Sequence, residues 1–284
     1  MTTTMGSAER LSAVRPLPIG AEIDEDLSIS LAGADRERLR ALFLEYGLLI
    51  FRGQSLSMDQ QIDLLDCIGP VLHTVDGVGY ISTEEGQGAL GRSELIFHSD
   101  LDFSPHPLRA ISLHAIDVVD DATSTRFASN RRAWRTLSEA ARARIEPLSL
   151  VTALPDDYAQ DNINRPIDDT VPQIARPPIV PHPDTGEPLL MVSQQAVRFE
   201  GMAPAESAAL IRDLHGGLYA HDNVHEHFWR NGDIVIWDNI ALQHARSALT
   251  APGRRTLQRV VVGEASFFDV VADPQAVLRR AVTR

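Results

Sequence analysis

Cys67 is the only cysteine in the chain, and this restricts what can hold a fold of such a sequence together. A lone thiol forms no intramolecular disulfide, no thiolate zinc cluster and no iron–sulfur site. Order must come from a buried apolar core, and 284 residues with 44% hydrophobic and 23% charged side chains suffice to build one. The basic residues narrow the chemistry further, because all 26 are arginine. Without lysine there is no Schiff-base or pyridoxal chemistry, no Walker-type phosphate loop and no lysine general base. A net charge of −13 repels phosphate backbones and anionic membrane surfaces, so neither nucleic acid nor membrane is expected as a partner. The start, Met1 to Arg10, lacks the basic and apolar stretches of a signal peptide, and no apolar run approaches the ~18 residues of a membrane span. A cytoplasmic location is therefore expected.

Leu39, Leu42, Phe43 and Tyr46 recur at helical spacing after Asp35, and Leu48–Phe51 reads as a buried strand. Ser57-x-x-Gln60 is a capping box for a second helix, which carries Ile62 and Leu65 and stops at Gly69-Pro70. Strand-like runs follow at Glu94–Asp100, Ala110–Ile116, Asp233–Trp237 and Thr256–Val262, with a turn at Thr250–Gly253. One helix is expected around Ser129–Ala143, with Trp134 and Leu137 inward and its arginines solvated. Another is expected from Pro204, with Leu210, Ile211, Leu214 and Leu218 on one face. The glycine-rich segment 74–93 and the proline-rich segment 155–188 are too long for simple connectors and are expected to act as lids. With no repeat and no linker, the chain reads as a single domain over residues 14–284 after a disordered 1–13.

Several motifs fail on context. Gly86-x-Gly88-x-x-Gly91 matches a dinucleotide fingerprint, yet polar residues precede it and a strand-like run follows, so a loop is expected. There is no Gly-x-Ser-x-Gly elbow and no His-Glu-x-x-His helix, which removes serine hydrolase and zincin readings. His182-Pro-Asp184, with Gly186 beyond, describes a turn, and His225-x-His227 is expected in a surface loop. His98-Ser-Asp100 differs, because alternate side chains of a strand share a face and both can reach one ion.

The tail supplies the rest. Trp237-Asp-Asn239 leads to His244, and eleven residues on lies Arg255, with Arg259 four further. A hairpin joining these runs would set His244 near Arg255 and put Arg255 and Arg259 on one strand face. Two histidines and a carboxylate bound facially leave open positions on divalent iron, and arginine suits the grip of a dicarboxylate.

Here the chain resembles the TauD/TfdA-type iron(II)- and 2-oxoglutarate-dependent dioxygenases over nearly its whole length. The likeness rests on the order and spacing of Ile19–Glu22, Leu49–Gln54, Phe97-His-Ser-Asp100, Thr125-Arg-Phe127, His182–Gly186, Gly232–Asn239, His244, Arg255 and Arg259. By that resemblance His98, Asp100 and His244 bind Fe(II), and Arg255 with Thr125 holds the distal carboxylate of 2-oxoglutarate. Arg259 stands at its keto-acid end or at an anionic substrate. The implied fold is a double-stranded β-helix, a jelly roll with flanking helices, and a homodimer is expected. The implied reaction consumes molecular oxygen, converts 2-oxoglutarate to succinate and carbon dioxide, and oxidises a small organic molecule, usually by hydroxylation. The same iron chemistry also serves desaturation, ring closure and epimerisation, and a non-catalytic jelly-roll binding protein is the rival of another class. Asp100 fills the place that halogenating relatives leave small, which disfavours halogenation. Glu94, four residues before His98, is expected on the metal-facing side of the strand as a substrate contact, favouring a cationic or neutral substrate.

Overall fold

The computed structural model describes residues 10–74, 76–84, 94–247, 249 and 253–274. Two β-sheets dominate it. The larger has seven strands in the order Val14–Pro16, Ala21–Ile23, Leu48–Phe51, Ile234–Asp238, Ala110–Val118, Arg255–Val262, Val78–Ser82. The smaller has four, in the order Val224–Phe228, Ser124–Ser129, Leu242–Arg246, Leu95–His98. Pairing within them is antiparallel except where Ala21–Ile23 meets Leu48–Phe51. A three-stranded sheet and a two-stranded ribbon complete a mixed α/β architecture that is mainly β.

The two-residue period of a strand explains how the larger sheet is covered on both faces. Leu48, Ile50, Val235, Trp237, Leu257 and Val261 point toward the smaller sheet and join Phe127 and Leu242 in one core cluster. Leu49, Phe51, Ile234, Ile236, Val260 and Val262 point the other way. There they meet Leu39, Leu42 and Phe43 of the helix Ala34–Tyr46 and Leu64 and Leu65 of the helix Met58–Asp66. These strands carry apolar residues on both faces because the sheet has a layer on each side. The capping box forms as expected, with Gln60 N–H donating to Ser57 Oγ and Ser57 N–H to Gln60 Oε1. Cys67, just past that helix, is half-buried beside the same cluster.

Four expectations need correction. Ile234–Asp238 and Arg255–Val262 are not a hairpin: each pairs with Ala110–Val118, which lies between them, and the chain visits the other sheet at Leu242–Arg246 on the way. The helix expected around 129–143 is two helices, Asn130–Thr136 and Glu139–Ile145. The break comes at Ser138, whose hydroxyl accepts from Ala141 N–H at 3.2 Å and so starts a new helix. The two segments expected as lids are not loops throughout: Val78–Ser82 is an edge strand of the larger sheet, and Gln173–Arg176 and Ile179–Pro181 are strands. The disorder expected over 1–13 does not reach Arg10 and Leu11: Leu11 is fully buried, and Arg10 pairs with Glu25 at 3.0 Å. Residues 1–9, the Gly86-x-Gly88-x-x-Gly91 motif and most of the turn before Gly253 lie outside the described residues. Among the described residues no helix is long and apolar enough to cross a membrane.

Candidate active site

The strand Leu95–His98 and the strand Leu242–Arg246 are neighbours, with His244 directly opposite His98. That register brings the two imidazoles together, with ring centroids 4.3 Å apart and planes tilted by 44°. Asp100 follows His98 where the strand ends, and its Oδ1 lies 3.2 Å from His98 Nε2 and 3.6 Å from His244 Nε2. Ligand atoms of the three residues all fall within 4.8 Å of one another, the only such grouping among the described residues. Leu101, immediately after Asp100, takes φ 60°, a costly conformation for a non-glycine residue that turns the chain sharply off the strand.

These atoms fit a cation. His98 Nδ1 sits 2.7 Å from the Ile96 carbonyl, so Nδ1–H donates there and the Nε2 lone pair turns inward. Burial opposes charge on His98, but the hydrogen bond and charge of Asp100 outweigh it and raise its pKa. Burial and the neighbouring His98 push His244 down to about 3, so it is neutral. Burial also works against the Asp100 carboxylate, yet the His98 hydrogen bond and the positive charge of Arg259 hold it well below the usual carboxylate range. Two imidazole lone pairs and a carboxylate converging on one point repel unless a cation stands between them. The donor set matches the facial triad that non-haem iron(II) prefers, which leaves positions open for other ligands.

Contacts behind these three side chains shape the backbone that carries them. Asp238 Oδ1 accepts from Ile240 N–H and Ala241 N–H, which shapes the turn leading to the His244 strand. Its other oxygen lies 2.8 Å from Nε2 of the fully buried His182. His182 Nδ1 accepts from Asp184 and Thr185 N–H, so Nε2 carries the proton and donates to Asp238. The His182–Gly186 turn is thus structural. Gly232, at φ 82°, leaves no room for a side chain, since an added Cβ would lie 2.9 Å from the Gln54 carbonyl oxygen.

A cavity of about 870 Å³ opens on the triad. Thr125, Arg255 and Arg259 all line it, so the structure gathers every residue expected at the cosubstrate. Arg255, Leu257, Arg259 and Val261 alternate on one face of their strand, as the spacing predicts. Thr125 Oγ1 accepts from Trp229 Nε1–H at 3.0 Å, which leaves its own proton to donate into the cavity. Arg255 is buried, with its Nε lacking a hydrogen-bond partner, and burial lowers its pKa to about 9, with a contribution from Arg246. Arg259 donates to Asp100 Oδ2 at 2.8 Å and to the Asp76 carbonyl, placing it at the metal end.

Two site expectations are overturned. Glu94 is exposed and lines a separate depression with Ile96, Phe97 and Arg126. The register runs from His244↔His98 to Arg246↔Leu95, so three residues of one strand oppose two of the other. This bulge shifts the alternation, puts Leu95 in the metal cavity and turns Glu94 out. His225 and His227 lie on the strand Val224–Phe228, not in a surface loop, and His227 is buried 3.2 Å from Asp233. Sequence reasoning missed Arg246, two residues after His244 and thus on its face of the strand, and Tyr158, both in the cavity wall. The first was legible from that spacing; the second stands in a segment without periodicity.

Fold and site together describe a mainly β protein in which two histidines and one carboxylate converge, able to hold a metal ion, at a cavity that also takes in Thr125, Arg255 and Arg259. The sequence pattern of the taurine catabolism dioxygenase TauD, TfdA family matches residues 13–261, and the chain belongs to that family. An (S)-phenoxypropionate/alpha-ketoglutarate-dioxygenase of Delftia acidovorans is 29% identical over 251 residues, covering 80% of this chain and 85% of its own. An alpha-ketoglutarate-dependent sulfate ester dioxygenase of Pseudomonas putida is 29% identical over 243 residues, covering 80% of each chain. Among solved structures, a taurine dioxygenase from Burkholderia xenovorans superposes with a TM-score of 0.75 at 25% identity, over 89% of this chain and 90% of that one. The protein is an oxidoreductase, a dioxygenase that uses Fe(II), 2-oxoglutarate and molecular oxygen on a small organic molecule.

Proposed function

We propose that this dioxygenase hydroxylates a small, largely apolar molecule at an unactivated carbon, within a double-stranded β-helix formed by the two larger sheets. His98, Asp100 and His244 hold the iron, and Arg255 with Thr125 holds the distal carboxylate of 2-oxoglutarate. The iron centre supplies the oxidation: 2-oxoglutarate loses carbon dioxide and takes one oxygen atom as succinate, and the other atom goes to the substrate as hydroxyl. The protein's part is placement. A guanidinium and a hydroxyl at the cavity floor fix one end of the cosubstrate, so its keto-acid end can reach only the open face of the triad. Arg259 braces Asp100, leaving Oδ1 aimed between the histidines.

The observation that carries the reading is the lining above the triad. Leu72, Ile81, Leu101, Phe103, Tyr158 and Phe267 face the same cavity as the ligands and exclude water from the reacting carbon. The Delftia relative acts on phenoxypropionate, an apolar ring bearing a carboxylate, and this cavity suits a compound of that build. With Glu94 outside, no carboxylate of that strand opposes an anionic substrate. Aryloxy and alkyl acids, their neutral esters and amines should be screened for stimulated succinate release, with products identified by mass. A product heavier by one oxygen supports the reading. Substrate-linked succinate release with only a two-hydrogen loss in the product would replace hydroxylation by desaturation.

A further inference from the structure

The cavity floor carries a second arginine that the recognised cosubstrate contacts do not use. Arg246 closes the strand Leu242–Arg246, two residues beyond the iron ligand His244 and on the same strand face. Its strand pairs with Ser124–Ser129 in a register that sets Ala245 opposite Arg126, and one more step along that antiparallel ladder faces Arg246 toward Thr125. Across the other edge, the bulge places Leu95 opposite Arg246. Arg246 and Arg255 are each 3% exposed, and both line the cavity that holds the triad and Thr125.

We propose that Arg246 is a second cosubstrate-binding residue, which shares the distal carboxylate of 2-oxoglutarate with Arg255. Two guanidiniums in one buried floor repel each other and lose hydration. An anion lodged between them removes that repulsion. A carboxylate has two oxygens with four lone-pair directions, enough for one donor group from each arginine and for the Thr125 hydroxyl. The bulge fits this use, because an unbroken alternation would bring Glu94 to the cavity side, where its charge would compete with the cosubstrate for the same cations. The sequence turns that acid into the neighbouring depression instead. The consequence is selectivity: the floor reads the dicarboxylate and discriminates against keto acids that end in a methyl group.

The inference rests on the assignment of the distal carboxylate to Arg255, and the test separates the two. Anaerobic Fe(II) protein is titrated with 2-oxoglutarate and, separately, with 2-oxobutyrate, which chelates iron equally but has no distal carboxylate. Binding is read from the metal-to-ligand absorption band and by calorimetry, without turnover. Arg246→Ala should weaken 2-oxoglutarate binding on the order of tenfold to a hundredfold and leave 2-oxobutyrate within about twofold. Arg246→Lys, which keeps charge and fills the site should the alanine variant fail to fold, should restore part of the loss for 2-oxoglutarate alone. Equal loss for both keto acids, or unchanged 2-oxoglutarate affinity in a folded variant, would show that Arg246 only supports the wall and would overturn the proposal. Arg255→Ala is the control. If it too leaves 2-oxoglutarate binding unchanged, the underlying assignment fails; if it weakens binding while both Arg246 variants do not, only the present inference fails.

Discussion

Asn239 clamps the backbone of Asp100. Its side-chain carbonyl accepts from Asp100 N–H at 2.9 Å, and its amide donates to the Asp100 carbonyl at 3.0 Å and the Leu108 carbonyl at 2.8 Å. The turn that precedes the His244 strand therefore fixes the residue proposed as the carboxylate ligand. Two proposed ligands distant in sequence are held to one another by a side chain outside the proposed metal centre.

Asn239→Ala should cost about 1–3 kcal/mol of stability, because the buried Leu108 carbonyl and the part-buried Asp100 backbone groups lose their hydrogen bonds. It should also weaken iron on the order of tenfold to a hundredfold, as loss of an orienting contact does at other metal sites. Thermal unfolding and iron titration measure the two effects. Retention of wild-type iron affinity would mean that the turn positions Asp100 without the clamp.

His98→Ala, Asp100→Ala and His244→Ala should each abolish turnover and reduce iron binding while leaving circular dichroism unchanged. Each residue lies at the cavity edge and contributes a ligand, whereas a histidine serving the core would unfold the protein when removed. A folded His98→Ala enzyme with normal iron binding and turnover would exclude the triad.

Much of this site was legible because strand periodicity survives in sequence. His98 and Asp100, His244 and Arg246, and Arg255 and Arg259 all share faces by even spacing, and each pair does line one cavity. Where the period breaks, reading fails. Glu94 is even-spaced from His98, but a single bulged residue in the Leu95–His98 strand reverses its face, and no residue type in Leu95-Ile-Phe97 announces a bulge. Sheet membership was equally hidden. The runs carrying Trp237 and Arg255 look like hairpin partners, yet a third strand from residues 110–118 separates them, a long-range pairing that local pattern does not encode.

Glu94→Gln should leave iron, 2-oxoglutarate and substrate affinity unaltered, with KM within about twofold of wild type. Its exposed carboxylate borders Arg126 and Gln194 in a depression on the far side of the strand. Steady-state kinetics with any compound that stimulates succinate release provide the check. A several-fold rise in KM would bring Glu94 back to the substrate.

Stability should fall as pH drops below neutrality. Burial lowers the pKa of His114, His215, His225 and His227 below the ordinary 6.5. For a group whose folded pKa is depressed, the unfolded chain takes up the proton first, so protons drain population toward the unfolded state once pH falls through about 6.5. Stability from these four is complete above that pH and is lost progressively on the acid side. The one raised histidine, His98, acts with the opposite sign in metal-free protein; bound iron blocks its titration, so the acid loss should be steeper in the iron-loaded enzyme. Melting temperatures of the anaerobic Fe(II) protein at pH 7.5 and 5.5 measure the slope. His215→Gln removes one titrating ring while its amide can still donate to the Ser193 carbonyl, now 3.2 Å from His215 Nε2. It should flatten the slope below pH 6.5 and leave the melting temperature at pH 7.5 nearly unchanged. An identical pH profile in that variant would remove His215 from the account of acid sensitivity.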